Sequence, residues 1–182
     1  MGIMPNDLMR LAQAYQFAAS QHINQRRKGL AAEPYLNHLT EVAELVAGAC
    51  GGEDPALIMA AVLHDTVEDT ETSLEELEAF FGADVAGLVA ELTDDKSLAK
   101  QVRKELQVSH AAHTSQRAKM IKMADKISNL RSLAKSPPAD WNQARIREYG
   151  DWSVRVISGC RDAHADLSAS FDLALAELMR VL

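Results

Sequence analysis

Apolar positions recur with a helical period along almost the whole chain, and no stretch alternates as a half-buried strand does. The first predicted helix runs from about Asp7 to His22, with Leu8, Leu11, Ala12, Tyr15, Ala18 and Ala19 on one side. A polar, basic loop follows, from Asn24 through Arg26, Arg27 and Lys28 to Gly29. Pro34 and Asn37 announce a second helix, in which Leu39, Val42, Ala43, Val46 and Ala49 keep an i, i+3, i+4, i+7, i+10 spacing up to Gly51-Gly52. Asp54-Pro55 reads as an N-cap with proline at the first helical position. The helix it opens, to about His64, is apolar all round, which predicts a central, buried element and not a surface one.

Ser73-Leu74-Glu75-Glu76 is a capping box, and Gly82 closes that short helix. Val85, Leu88, Val89 and Leu92 mark another. Ser97 and Ser115 are candidate caps for two more, the later one carrying Ala118, Ile121, Ala124 and Ile127 on one face up to about Ala134. Pro137-Pro138 breaks the chain, a long helix starts near Asp140, and a last one spans about Ser168 to Val181. The pattern predicts an all-α fold of roughly eight to ten helices. No linker or repeat divides residues 1–182, so one compact domain is expected.

Composition supports this reading. Apolar residues make up 47% and aromatics only 5%, and the dominant Ala and Leu favour helix over strand. The net charge of −7 gives no general attraction for nucleic acid or an anionic membrane, so an anionic ligand must meet a local basic patch. The longest apolar run, Ala56 to Leu63, is far short of a membrane span. Met1 to Asp7 lacks the pattern of a secretory signal, and Asn6 stands where a myristoylation signal wants Ser or Thr. Cys50 and Cys160 are isolated and read as reduced core thiols of a cytoplasmic protein.

The candidate chemistry begins where the buried helix ends, in Leu63-His64-Asp65-Thr66-Val67-Glu68-Asp69. One His and three carboxylates crowd an apolar helix end, where buried charges need a partner or a metal. A His-Asp pair alone also fits a His placed at the negative end of a helix dipole. Two further residues shift the balance. His38 opens the second helix, and Asp125 follows Ile121 by four and Ala118 by seven, so it points inward with them. His38, His64, Asp65 and Asp125 form a mixed nitrogen and oxygen set from three helices, suited to a divalent transition ion with open positions for water. Charge adds a third feature. Arg26, Arg27 and Lys28 cluster on the loop. The helix of Asp125 carries Arg117, Lys119, Lys122, Lys126, Arg131 and Lys135 against that single acid, which suggests a polyphosphate site. Its outermost lysines read better as a solvated face.

These residues resemble the hydrolase domain of the RelA/SpoT family, and within it the small stand-alone alarmone hydrolases. The matching stretches are Arg26-Arg27-Lys28, Pro34 to His38, Leu63 to Thr70, Leu92 to Lys96, Lys122 to Leu130, and Glu148-Tyr149 with Trp152, in the family's order. The resemblance implies an all-helical HD fold binding one Mn²⁺ through His38, His64, Asp65 and Asp125. It implies that Glu68 and Asp69 work on the hydrolytic water, and that Arg27, Lys28, Asn129 and Tyr149 contact the nucleotide. The implied reaction releases pyrophosphate from the 3′ position of ppGpp or pppGpp and leaves GDP or GTP. The chain departs from the family pattern at Gly29-Leu30, usually Asp-Pro, at Leu39, usually Pro, and at Gly150, often aromatic. The first and last fall where they would reshape the nucleotide pocket.

Other readings use the same residues. One is a phosphohydrolase acting on another nucleotide, such as the 2′-phosphate of NADPH. Another is a non-catalytic alarmone sensor, against which the intact Glu68 and Asp69 argue. A plain helical scaffold predicts no bound metal. Oligomeric state is left open by the sequence.

Overall fold

Helices carry the chain from end to end in the structure, a computed structural model that describes residues 5–182. Met1 to Met4, on which the reading of the N-terminus partly rests, lie outside the described residues. The order is α1 (Pro5–Gln21), α2 (Leu36–Ala49), α3 (Pro55–Leu63), α4 (Thr66–Asp69), α5 (Leu74–Phe81), α6 (Ala83–Leu92), α7 (Lys100–His110), a 3-10 turn (Ala111–His113), α8 (Gln116–Lys135), α9 (Gln143–Ser158) and α10 (Ala165–Val181). No strand forms among the described residues. One isolated antiparallel bridge joins Arg26 and Pro34.

The apolar segment after Asp54 is the centre of the fold. Asp54 accepts a hydrogen bond from the Leu57 amide and caps α3, and every residue from Leu57 to Leu63 is buried. Helices α1, α2 and α6 pack around it. Fully burying each large aliphatic side chain there contributes roughly 1.5–3 kcal/mol relative to exposure. A helix with no polar face can exist only where other helices cover all its sides, and this explains its place. Helix α8 is the second inner element, packed between α2, α6, α9 and α10. Ala118, Ile121, Ala124 and Ile127 are buried as their spacing predicts, but so are Lys119, Lys122 and Lys126. The charged side of α8 is therefore largely enclosed.

The caps follow local chemistry, with three corrections. Ser73 and Ser115 accept hydrogen bonds from the Glu76 and Ala118 amides, and Gly82 ends α5 at φ +86°. Ser97 does not cap α7. That helix starts behind Ala99, and the Ser97 amide donates to the Asp95 carboxylate instead. Helix α10 starts earlier than Ser168, because the His164 ring accepts from the Leu167 amide as N-cap, an unusual capping residue. Ser168 is engaged by Arg161. Helix α9 begins at Gln143 behind an Asn142 cap, with Asp140 left in the preceding turn. Both cysteines are free, Cys160 buried and Cys50 half-buried. No helix among the described residues is long and apolar enough to cross a membrane.

Candidate metal centre and active site

His38 lies in the first turn of α2, His64 directly after α3, and Asp125 in the middle of α8. Asp65 occupies the bend between α3 and α4, at φ −98° and ψ −3°. Packing of α3 between α2 and its neighbours, and of α8 against α2, brings the four together. His38 Nε2 lies 3.5 Å from Asp65 Oδ2 and 3.4 Å from Asp125 Oδ1, and His64 Nε2 lies 3.1 Å and 3.9 Å from the same two oxygens. Donor atoms of His38, His64 and Asp65 fall within 4.8 Å of one another.

The hydrogen bonds of the rings decide which nitrogen faces the centre. His64 Nδ1 is 2.8 Å from the Ala61 carbonyl, so it carries the proton and leaves Nε2 with its lone pair. Ser128 Oγ donates to Glu41 Oε2 at 2.7 Å, so at 2.9 Å from His38 Nδ1 it must accept from that ring. Arg131 in turn pairs with Glu41 at 3.0 Å. Both Nε2 atoms are buried and have no hydrogen-bond partner. Buried polar atoms are rarely left so, and two lone pairs converging on two carboxylates fit a divalent cation.

The surrounding electrostatics favour a positive charge at this point, a proton on His64 Nε2 in the absence of an ion and a metal cation in its place. Burial works against a charge on His64, but the Asp65 carboxylate, with Asp125 behind it, pushes its pKa up to about 9. Burial likewise opposes ionisation of Asp125, yet the Lys126 ammonium and both imidazoles hold it well below the usual carboxylate range. Asp65 also accepts from the Tyr35 hydroxyl at 2.6 Å. Asp125 accepts from Asn129 Nδ2 at 2.6 Å and Lys126 Nζ at 2.8 Å. Asn129 sits one turn beyond Asp125 on the same face, as its i+4 spacing predicts.

The two following carboxylates differ. Both Asp69 oxygens are engaged, by Gln25 at 2.8 Å and Lys96 at 2.7 Å. Glu68 is partly buried, accepts from the Asp94 amide at 3.2 Å and lies 3.6 Å from Arg103. Burial raises its pKa above the ordinary glutamate value, nearby Asp65 and Asp94 add to this, and the Asp94 amide partly offsets it.

The basic loop docks back on the end of α8. Its backbone pairs Arg27 with Glu33 and Tyr35 with Gln25, and the Ala31 amide donates to Ser136 Oγ. Arg27 thereby reaches Asn129 Oδ1 at 2.9 Å. A Cβ on Gly29 would lie 2.1 Å from the Ser136 carbonyl oxygen, so a side chain there would lift the loop off α8. Three adjoining cavities meet at this loop. One of about 240 Å³ contains the centre with Glu68, Asp69 and Asn129. A second of about 240 Å³ lies between the loop, Asn129, Trp141 and Tyr149. An open groove of about 860 Å³ runs past Glu68, Arg103, Arg145 and Tyr149. Lys28 borders all three.

Nine of the ten predicted site residues line these cavities, and His38 meets the other ligands from α2 behind them, but two expectations need correction. Gly150 does not border the pocket. A Cβ there would meet the Met179 methyl at 2.6 Å, so this glycine permits contact between α9 and α10. Nor is the basic set on α8 one polyphosphate patch. Arg117 pairs with Asp54 and Asp84, Lys119 with Asp162, Arg131 with Glu41 and Lys135 with Glu33, so each is held by an acid outside the ligand set. Several neighbours had no assigned role in the sequence: Gln25, Tyr35, Glu41, Arg103, Ser128 and Trp141. Ser128 stands three after Asp125 and Glu41 three after His38, so helical spacing could have found that pair.

A helical bundle that closes a His, a His-Asp pair and a distant Asp on one point has the architecture of an HD domain. The chain belongs to the HD-domain family, which matches residues 14–151. It is 45% identical over 169 residues to the guanosine-3′,5′-bis(diphosphate) 3′-pyrophosphohydrolase MESH1 of Xenopus tropicalis, covering 93% of this chain and 94% of that one. It is 44% identical over 164 residues to the Homo sapiens protein of the same name, covering 90% and 92%. A solved structure described as a metazoan ortholog of SpoT that hydrolyses ppGpp superposes with a TM-score of 0.90 at 41% identity, over 100% of this chain and 99% of that one. Membership in this hydrolase family implies a divalent metal, and the donor set described above fits one.

Proposed function

We propose that this protein hydrolyses guanosine 3′,5′-bis(diphosphate), ppGpp, at its 3′ position, giving GDP and pyrophosphate, or GTP from pppGpp. The observation that carries this reading is the pair of buried, unpartnered imidazole nitrogens aimed at Asp65 and Asp125 beside Glu68, in a cavity joined to a basic and aromatic pocket. Likeness to the pyrophosphohydrolases named above supports the substrate.

In this proposal His38, His64, Asp65 and Asp125 hold one ion, Mn²⁺ by the resemblance. Bound there, it would lower the pKa of a water and polarise a phosphoryl oxygen. Glu68 acts as the general base, because it is partly buried with a raised affinity for a proton and faces the same cavity. The water oxygen adds to the phosphorus on O3′, its proton passes to Glu68, the P–O3′ bond breaks, and O3′ takes up a proton from solvent as it leaves, balanced when Glu68 releases the one it took. Asp69, held from both sides by Gln25 and Lys96, fixes the short helix α4 that carries Glu68. Arg27, Lys28, Asn129 and Tyr149 bind the nucleotide, with the base placed in the pocket between the loop, Trp141 and Tyr149.

The deciding measurement offers ppGpp, pppGpp and NADPH in parallel to the Mn²⁺-loaded protein and identifies the products. GDP plus pyrophosphate supports the proposal. Orthophosphate from NADPH with ppGpp untouched moves the activity to the rival substrate, and tight ppGpp binding without turnover makes the protein a sensor.

Two further outcomes are expected. Arg27→Lys should lower kcat/KM for ppGpp about tenfold or more, since the planar guanidinium holds Asn129 and can grip a phosphate with two donors. An unchanged value would remove Arg27 from the binding set. Glu41→Gln should weaken Mn²⁺ binding about 10- to 100-fold, the usual scale for a residue that orients a ligating His. The Glu41 carboxylate accepts the Ser128 proton and so fixes the His38 tautomer. A direct metal titration of the two proteins gives the comparison, and equal affinities would show that Ser128 alone orients the ring.

A further inference from the structure

Lys122 differs from every other cation on α8. Arg117, Lys119, Lys126, Arg131 and Lys135 each pair with a carboxylate. Lys122 is only 8% exposed, yet it makes no hydrogen bond or ion pair among the described residues. A buried ammonium with no direct ion pair, which the Asp125 and Asp94 carboxylates offset only from a distance, is an unfavourable arrangement. Burial lowers its affinity for the proton, and the Lys126 ammonium adds to the effect. The side chain stands three residues before Asp125 and lines the same cavity as His64, Asp65, Glu68 and Asp125.

Charge balance gives this isolation a meaning. The cavity is walled by Asp65, Glu68, Asp69 and Asp125, a poor host for a diphosphate. The cations nearby are mostly committed: Lys126 to Asp125, Lys96 to Asp69, and Arg103 beside Glu68. Of the lysines bordering the cavity, Lys28 is exposed on the loop at the rim, which leaves Lys122 as the interior amine with its hydrogen-bonding capacity free.

We propose that Lys122 is a substrate-binding residue whose ammonium takes a non-bridging oxygen of the 3′-diphosphate as it enters the metal-centre cavity. The proposal rests on the reading of this site as a 3′-pyrophosphohydrolase. The diphosphate supplies the direct hydrogen-bonded partner that the fold does not, and the interaction forms only when the anion is present. This makes Lys122 selective for the group that is removed, as distinct from the base or the 5′ phosphates. Lys28, at the junction of all three cavities, is placed to serve the rest of the nucleotide.

The test uses the full chain loaded with Mn²⁺ and compares wild type with Lys122→Met, which keeps length and apolar stem, and Lys122→Gln. Calorimetry with inorganic pyrophosphate and, separately, with GDP reads the two parts of the site. Both variants should keep stoichiometric metal, and Lys122→Met should melt at the same temperature or higher, because an uncompensated buried charge is gone. Pyrophosphate should bind about 10- to 100-fold more weakly, the scale of one charge-assisted hydrogen bond, while GDP affinity stays within about twofold. Equal pyrophosphate affinity in wild type and either folded variant overturns the proposal, as does a wild type that binds no pyrophosphate. A wild type that binds pyrophosphate but leaves ppGpp intact defeats the functional reading alone, and the variant comparison still decides Lys122.

Discussion

Asp125→Ala is expected to lose the bound metal and the hydrolytic activity together, with kcat/KM for ppGpp falling about a thousandfold or more, on the scale of the several kcal/mol that a catalytic ion supplies. Asp125 faces both imidazole Nε2 atoms and draws Asn129 into place, so its removal takes away one ligand and releases the residue that holds Arg27. The change also strips Lys126 of its partner. Breaking a buried pair on one side costs about 3–5 kcal/mol, so the alanine protein should also melt lower. Asp125→Asn is the milder change, since the amide oxygen can still accept from either Lys126 or Asn129, though not from both, while offering no negative charge to a cation. Wild type should gain about 2.7 kcal/mol of stability at a metal concentration one hundred times its Kd, and the asparagine variant should gain little. Metal analysis and melting curves with and without Mn²⁺ read this directly. Stoichiometric metal in Asp125→Asn would take this residue out of the ligand set.

Glu68→Gln should fold, hold metal and bind nucleotide while turnover drops by about 10²- to 10⁴-fold, the range for a lost general base. The glutamine can still accept from the Asp94 amide, so the local structure has no reason to change. The pH profile carries an independent signature. Burial raises the Glu68 pKa, so the acid limb of kcat/KM should lie above the ordinary glutamate range. As pH falls through that raised pKa, Glu68 takes up a proton and can no longer accept one from water, so activity is lost downward. Asp69→Asn should have the smaller effect on turnover, because both Asp69 oxygens already serve Gln25 and Lys96. Near-wild-type turnover in Glu68→Gln, with a collapse in Asp69→Asn, would exchange the two roles.

Much of this site is legible in the sequence because helical spacing is a local property. An apolar helix with no polar face has to be central, and α3 is. A His and three carboxylates at its end had to meet something, and the inward phase of Asp125 placed the fourth ligand on the facing helix. The His…His-Asp…Asp set is thus readable from period and burial alone, and the longer motifs point to the family and its pyrophosphate chemistry.

What the sequence could not decide depends on contacts between residues far apart in the chain. The tautomer of His38 is set by Ser128 and Glu41; spacing puts each one turn from a ligand on its own helix, but the bonds among them form only because α2 packs on α8. The lysines and arginines of α8 are alike as letters, yet distant acids neutralise Arg117, Lys119, Arg131 and Lys135 while Lys122 receives none. Glu68 and Asp69 are adjacent carboxylates whose roles separate only because Gln25 and Lys96 reach one and partial burial isolates the other. Gly29 and Gly150 show the same limit: one lies against the end of α8 under the pocket loop, the other against α10 away from it. Helical period and capping chemistry act over a few residues and determined the helices, the buried centre and the ligand set. Pairing, burial and cavity shape are sums over neighbours supplied by the whole fold, so only the tertiary structure decided which of those residues are free to act.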